Sequence, residues 1–248
     1  MPSYPLRALV LRKTKLGETD LILTLLAADG RQVRAVAKGA RKARSRIGAR
    51  AEPFTVLDLL LHTGRSLEII AEAQTVTSHD AIRGDLDRTT AAAVVADVLD
   101  KISVEGQVEP QLFEMSLVTL DVMESAAVEA LPALVLAFLL KALAMHGYRP
   151  SLDGCASCGS DVGGSRVFSI EAGGVLCLGC ATGDRATMPL TPEARAGMRA
   201  LLGSRMADIP GLGLEPRVQA EMTRVVRAYI GYHLPTRLRA LDYYIAQE

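Results

Sequence analysis

Four cysteines carry the most specific chemistry in the chain. Cys155 and Cys158 form one CxxC pair, and Cys177 and Cys180 form a second after 18 intervening residues. Two tight turns at this separation place four thiolates at the corners of a tetrahedron, the arrangement Zn²⁺ takes in structural sites. Gly159, Gly179 and Gly183 supply the backbone freedom such turns need. Four thiolates leave no open position for water, so the expected Zn²⁺ is structural and not catalytic. It would stabilise a segment, 149–189, too small and polar to fold by apolar burial alone. A redox dithiol, or four incidental cysteines, is the competing reading. Val167, Phe168 and Ile170 offer a small strand to cover the site.

The second concentration of chemistry is cationic. Between Arg31 and Arg50 stand Arg31, Arg34, Lys38, Arg41, Lys42, Arg44, Arg46 and Arg50, with no acidic residue among them. Charge this dense repels itself unless an anion covers it. A polyphosphate backbone is the ligand that fits; a merely solubilising loop is the alternative. The formal net charge of zero hides a segregation. Residues 1–83 hold 14 basic and 8 acidic residues, 84–150 hold 4 and 10, and 151–248 hold 10 of each.

Other chemistry is missing. The sequence has no GxxxxGK[ST], GxSxG or HExxH. His62, His79, His146 and His233 are scattered, and read as surface or satisfied structural residues. Glu18 and Asp20 lie in a turn, where capping and solvation explain them, and no carboxylates converge as a metal-dependent nuclease requires. The chain reads as a non-enzyme.

The elements that must position these groups divide at about residue 81. Leu6–Arg12, Leu21–Ala27, Val33–Lys38, Phe54–His62 and Leu67–Ala73 read as short strands, with Asp29-Gly30 as a hairpin turn. In the last, Leu67, Ile69, Ala71 and Ala73 are expected on one face, with Glu68, Ile70 and Glu72 on the other. The long third-to-fourth connection is the basic stretch, whose half from Gly39 to Arg50 has neither strand alternation nor an apolar helical stripe. A meander, a long connection and a final hairpin match a five-stranded barrel of the OB type, a fold that binds oligonucleotides. From Ile82 the periodicity changes to helical, with stripes at Val94–Ile102, Leu112–Leu120 and Pro132–Leu143. The third is apolar nearly all round, and so is the expected central helix. Thr191-Pro192 starts another helix, and Arg217–His233 and Thr236–Ile245 end the chain, separated by Pro235. The expected fold class is α+β: an OB-type barrel (1–81), then a helical domain (82–248) with a zinc insert at about 150–187.

No secretory signal opens the chain, and the longest uncharged apolar run, between Glu129 and Lys141, is 11 residues. Paired cysteines without an export signal point to a reducing, cytoplasmic compartment and no membrane partner. The barrel segment offers only Tyr4 and Phe54 as stacking platforms, so nucleic acid would be held mainly by its phosphates. Six such contacts predict a log–log salt slope of about −4 to −5.

Three stretches, LRKTKLGETDLILTLLAADG, VRAVAKGARKARSRIGARAEPFTVLDLLLHTGR and the CASC…CLGC pair, occur in the order and context that resembles the bacterial recombination mediators of the RecO family, essentially end to end. The resemblance implies a protein that binds single- and double-stranded DNA and anneals complementary strands. It would act with RecR, recognise the C-terminal tail of single-stranded DNA-binding protein (SSB) through its helical domain, help load RecA, and be associated with the nucleoid. By the same resemblance, DNA contact falls on Arg12, Lys13, Lys15, Arg34, Lys38, Arg41, Lys42, Arg44, Arg46 and Arg50, and zinc on Cys155, Cys158, Cys177 and Cys180. An RNA- or DNA-binding regulator built on the same barrel, with a structural zinc, is the alternative.

Overall fold

Hydrophobic alternation in the first third of the chain closes a barrel. The computed structural model describes residues 2–234 and 237–246. Strands β1 (Ser3–Leu16), β2 (Asp20–Ala27), β3 (Gln32–Ala37), β4 (Val56–His62) and β5 (Glu68–Thr77) pair in the order β1-β2-β3-β5-β4, with β4 returning to β1. All pairings are antiparallel except β3–β5, which touch in parallel at Ala35↔Glu68 and Val36↔Ile69. Inward residues such as Ala8, Val10, Leu23, Leu25, Ala35, Leu57, Leu61 and Ile70 fill the interior. The five-stranded OB-type barrel is therefore present.

Two strands differ from their expected form. β1 runs four residues past Arg12, because pairing with β2 continues to Leu16↔Asp20 although both faces there are polar and wet. In β5 the register slips opposite Leu60/Leu61, where Leu60 pairs with Glu72 and Leu61 with Ile70. Ala71 is the extra residue, and such a bulge re-aims the side chains on either side. Ile70 and Ala73 are buried while Ala71 is exposed, so the simple alternation expected for this strand fails.

The basic connection is also more ordered than its composition predicts. It contains a five-residue helix, α1 (Arg46–Arg50), with Ser45 as N-cap accepting from the Gly48 amide at 3.1 Å. Ile47, Ala40 and Ala51 pack against the barrel core and plug its upper end. A Cβ on Gly48 would fall 1.9 Å from the Ala40 carbonyl oxygen, so glycine is required where the helix meets the loop.

By internal contacts the chain divides into Met1–Glu124 and Ser125–Glu248. The first unit adds α2 (Asp80–Arg83), α3 (Leu86–Ile102) and α4 (Pro110–Ser125) to the barrel. α3 packs on β1 and β2, burying Leu9, Leu11 and Leu26, which lie outside the barrel core cluster. The Asp29-Gly30 turn abuts the backbone of Glu109, where a Cβ on Gly30 would clash at 2.1 Å.

The second unit centres on α5 (Leu131–Met145), buried at 11 of its 15 residues, as its all-round apolarity predicts. Around it pack α7 (Pro192–Gly203), the turn 206–212 and α8 (Pro216–His233). A 3₁₀ turn at Val128–Ala130 leads directly into α5. The combined stretch Val128–Met145 is long and apolar enough to cross a membrane by length and composition alone. Counting only the run between charges missed this. The stretch is 61% buried inside its own unit, as a core helix is. α9 (Arg239–Ile245) follows; the expected break at Pro235 and start at Thr236 lie outside the described residues. Between α5 and α7 sits a three-stranded sheet of β6 (Val167–Ser169), β7 (Gly174–Val175) and β8 (Thr187–Pro189), with the short helix α6 (Leu178–Ala181).

Candidate nucleic-acid interface and metal centre

The four sulfurs meet. Cys155, Cys158, Cys177 and Cys180 place their Sγ atoms within 4.8 Å of one another, and Cys158 and Cys177 stand 3.8 Å apart. A metal 2.3 Å from each thiolate of a tetrahedron needs sulfurs about 3.8 Å apart, so the donor set fits. One knuckle is closed by Cys155 N–H to Ser160 O (2.8 Å) and Gly159 N–H to Cys155 O (2.8 Å). The other begins with Cys177 at the start of α6, which carries Cys180 on its first turn. The expected strand between the knuckles is present as β6, without Ile170, and its buried Phe168 pairs with Val175. Backbone amides of Cys177 and Cys158 lower the Cys155 thiol to about 6. The Ser157 side chain lowers Cys180, but its hydrogen bonds with Cys158, Cys177 and Cys155 outweigh it and push that thiol up to about 12.

All ten cationic residues expected to contact DNA are exposed. The loop that carries most of them is tied to the β1–β2 hairpin. The Arg41 amide donates to Thr19 O (2.9 Å), and its guanidinium donates to Gly17 O (3.0 Å) and Glu18 O (2.7 Å). The Asp20 carboxylate accepts from the Gly39 amide at 2.7 Å. That bond first, then Thr19 and nearby Lys38 and Lys42, holds the Asp20 carboxyl below its usual range. Sequence reasoning treated Asp20 as a solvated turn residue and missed this anchor. It could equally have flagged Ser45, a good cap, had the residues after it shown an apolar stripe.

Register sorts the cations. Arg12, Thr24 and Arg34 lie in one row across β1, β2 and β3, on the outer face. Lys13 and Lys15 share rows with core residues Leu23 and Leu21, and so project from the opposite face of the extended hairpin. Some are partly spoken for. Arg12 pairs with Asp100 of α3 at 3.5 Å, Lys13 with Glu52 at 2.5 Å, and Arg50 donates to Ala73 O at 2.5 Å. Among the described residues Lys15, Arg34, Arg44 and Arg46 have no ion pair, and Lys38 and Lys42 have only the neighbouring Asp20 carboxylate. Those six are the cations left for an external anion.

Three of the histidines make structural hydrogen bonds, whereas His62 Nδ1 is buried without a partner. Buried His79 spans Phe54 O (2.7 Å) and Asp121 Oδ1 (3.0 Å), His146 reaches Ala142 O and His233 reaches Ile170 O. Among the described residues no carboxylate cluster accompanies the thiols.

Two family models match: "Recombination protein O N terminal" over residues 1–79 and "Recombination protein O C terminal" over 83–242. The chain belongs to the RecO family. Proteins named DNA repair protein RecO from Nocardioides sp. and Frankia casuarinae are each 39% identical, over 97% and 98% of this chain and 98% of each relative. That of Rubrobacter xylanophilus is 37% identical over 95% of this chain and 94% of its own length. As a RecO-family member the chain is a bacterial DNA repair and recombination protein, a non-enzymatic mediator.

Proposed function

We propose that this RecO-family chain binds single- and double-stranded DNA through phosphates and anneals complementary strands without catalysis. Residues 1–81 are its nucleic-acid-binding part, and 82–248 its helical part, with a metal insert at about 150–187. The observation that carries the reading is the tethered, acid-free loop on the closed barrel, whose Lys38, Lys42, Arg44 and Arg46, with Lys15 and Arg34 on the adjoining strands, are exposed and form no ion pair among the described residues. Six phosphate contacts correspond to a slope of about −4 on single strands, inside the range anticipated from composition. Lys15, Arg34, Lys38, Lys42, Arg44 and Arg46 carry most of this. Arg12, Lys13, Arg41 and Arg50 act at shorter reach or as tethers.

The metal at Cys155, Cys158, Cys177 and Cys180 is structural Zn²⁺, which closes the knuckles when bound. Family membership supports action with RecR, contact with the SSB tail, assistance to RecA loading, and a cytoplasmic, nucleoid-associated setting. The test is direct. The protein should anneal complementary oligonucleotides at low salt without ATP, with no requirement for a particular sequence. Absence of annealing, or dependence on one sequence, would favour a regulator instead.

A further inference from the structure

The end of the barrel away from α1 is open. There Tyr4 and Glu68 face inward, sharing rows with core residues Leu61 and Ala35. They form the floor of a cavity of about 230 Å³ whose rim carries Arg31, Arg34 and Arg65. Arg65 is presented by the β4–β5 turn, which only Gly64 allows: a Cβ there would lie 1.8 Å from the Leu67 carbonyl oxygen. Arg31 is engaged by Asp29 at 2.9 Å, and Glu105 from the α3–α4 connection is the other acid on the rim. Arg34 and Arg65 keep their charge for an external group, since neither has an ion pair among the described residues. In the floor, Glu68 Oε2 is buried without a hydrogen-bond partner. A buried carboxylate oxygen left unmade costs free energy, and it lies beneath a rim of arginines. Burial, then the charge of Glu68 and a hydrogen bond to that carboxylate, holds the Tyr4 hydroxyl above its ordinary pKa.

These groups ask for two things of one ligand: an anion at the rim and an N–H donor a few ångströms below it. We propose that the open mouth of the barrel is a subsite for a single nucleotide of a DNA strand, its phosphate on Arg34 and Arg65 and the exocyclic amino group of its base on Glu68 Oε2. A carboxylate accepting from cytosine N4 is an established pairing. The cavity takes one planar base and not a duplex, so the subsite reads unpaired bases only. It rests on the DNA-binding reading above and adds to it one base contact, remote from the cationic loop.

The test compares the intact protein with Glu68→Leu and Arg65→Ala, binding oligodeoxycytidylate, oligothymidylate and a duplex of equal length in slightly alkaline buffer. Thymine has no exocyclic amino group. The wild type should prefer the cytosine strand roughly tenfold, the size of one hydrogen bond to a charged acceptor. Glu68→Leu should erase the preference and leave thymidylate affinity unchanged. Arg65→Ala, on an exposed turn, should weaken both single strands severalfold and spare the duplex. Equal wild-type affinity for the two strands, or a preference that survives Glu68→Leu, overturns the subsite while leaving phosphate binding intact. Should Glu68→Leu not fold, unchanged single-strand affinity of Arg65→Ala overturns it alone. Failure of the wild type to bind any of the three would instead sink the DNA-binding reading and the subsite together.

Discussion

His79 shows how much one side chain can hold. It sits in the left-handed region at φ 47°, and so does its partner Phe54 at φ 68°. Its ring joins Phe54, two residues before β4, to α4, with Arg83 donating nearby to Pro53 O and to Ser78 O. His79→Ala should strand the Phe54 carbonyl and open a hole, costing about 2 kcal/mol of stability in denaturant titration; a change near zero would show the bridge to be idle. Asp20 offers a pH handle. Its folded pKa lies below the ordinary value near 3.9, so its contribution is complete above that value and is lost as pH falls through the lowered one. The Gly39 amide should therefore keep its protection from hydrogen exchange at neutral pH and lose it only in strong acid. Loss near neutrality would mean that another group holds the loop. The sequence reading had both residues as structural or solvated. Their partners, 25 and 19 residues distant in the chain, are what no local pattern reveals.

Among the elements, those with regular apolar spacing were legible and those without it were not. The barrel strands, α5 and α8 follow from their patterns. α1 has only Ile47 and Ala49 as apolar residues in five, too few for any stripe, and its helix exists because a capped turn fits the end of the barrel. The tip of β1 was missed because neither face is buried there. The bulge at Ala71 cannot be seen in a period-two reading, since one inserted residue preserves composition while exchanging faces. The cysteine knuckles, by contrast, were fully legible, because metal geometry constrains spacing more tightly than packing does. Stripping the metal, or Cys177→Ser, should lower the melting temperature of the second unit and leave DNA affinity of the barrel unchanged. Metal uptake should also release protons, and affinity should fall as pH falls, because the four thiols must ionise to bind. Calorimetry in buffers of different ionisation enthalpy measures the release; a value of zero would contradict four-thiolate ligation.

For the molecule as a whole, composition was the poorest guide and charge placement the best. A net charge of zero conceals a basic barrel segment, and register then divides its cations between two faces of a protruding hairpin and a tethered loop. What composition could not reveal is which cations are occupied. Arg41 looks like any other member of the run, yet it spends its guanidinium on two carbonyls of the hairpin and should be left intact in any test of binding. Lys42, Arg44 and Arg46 carry no such duty. The decisive measurement is the salt dependence of single-strand affinity for the wild type and for the triple variant Lys42→Glu, Arg44→Glu, Arg46→Glu. The wild type should give a log–log slope of about −4, and the variant one shallower by about 2, with affinity lost alike on every sequence and folding unchanged. An unchanged slope and affinity in a folded variant would contradict the claim that this loop holds the phosphate backbone.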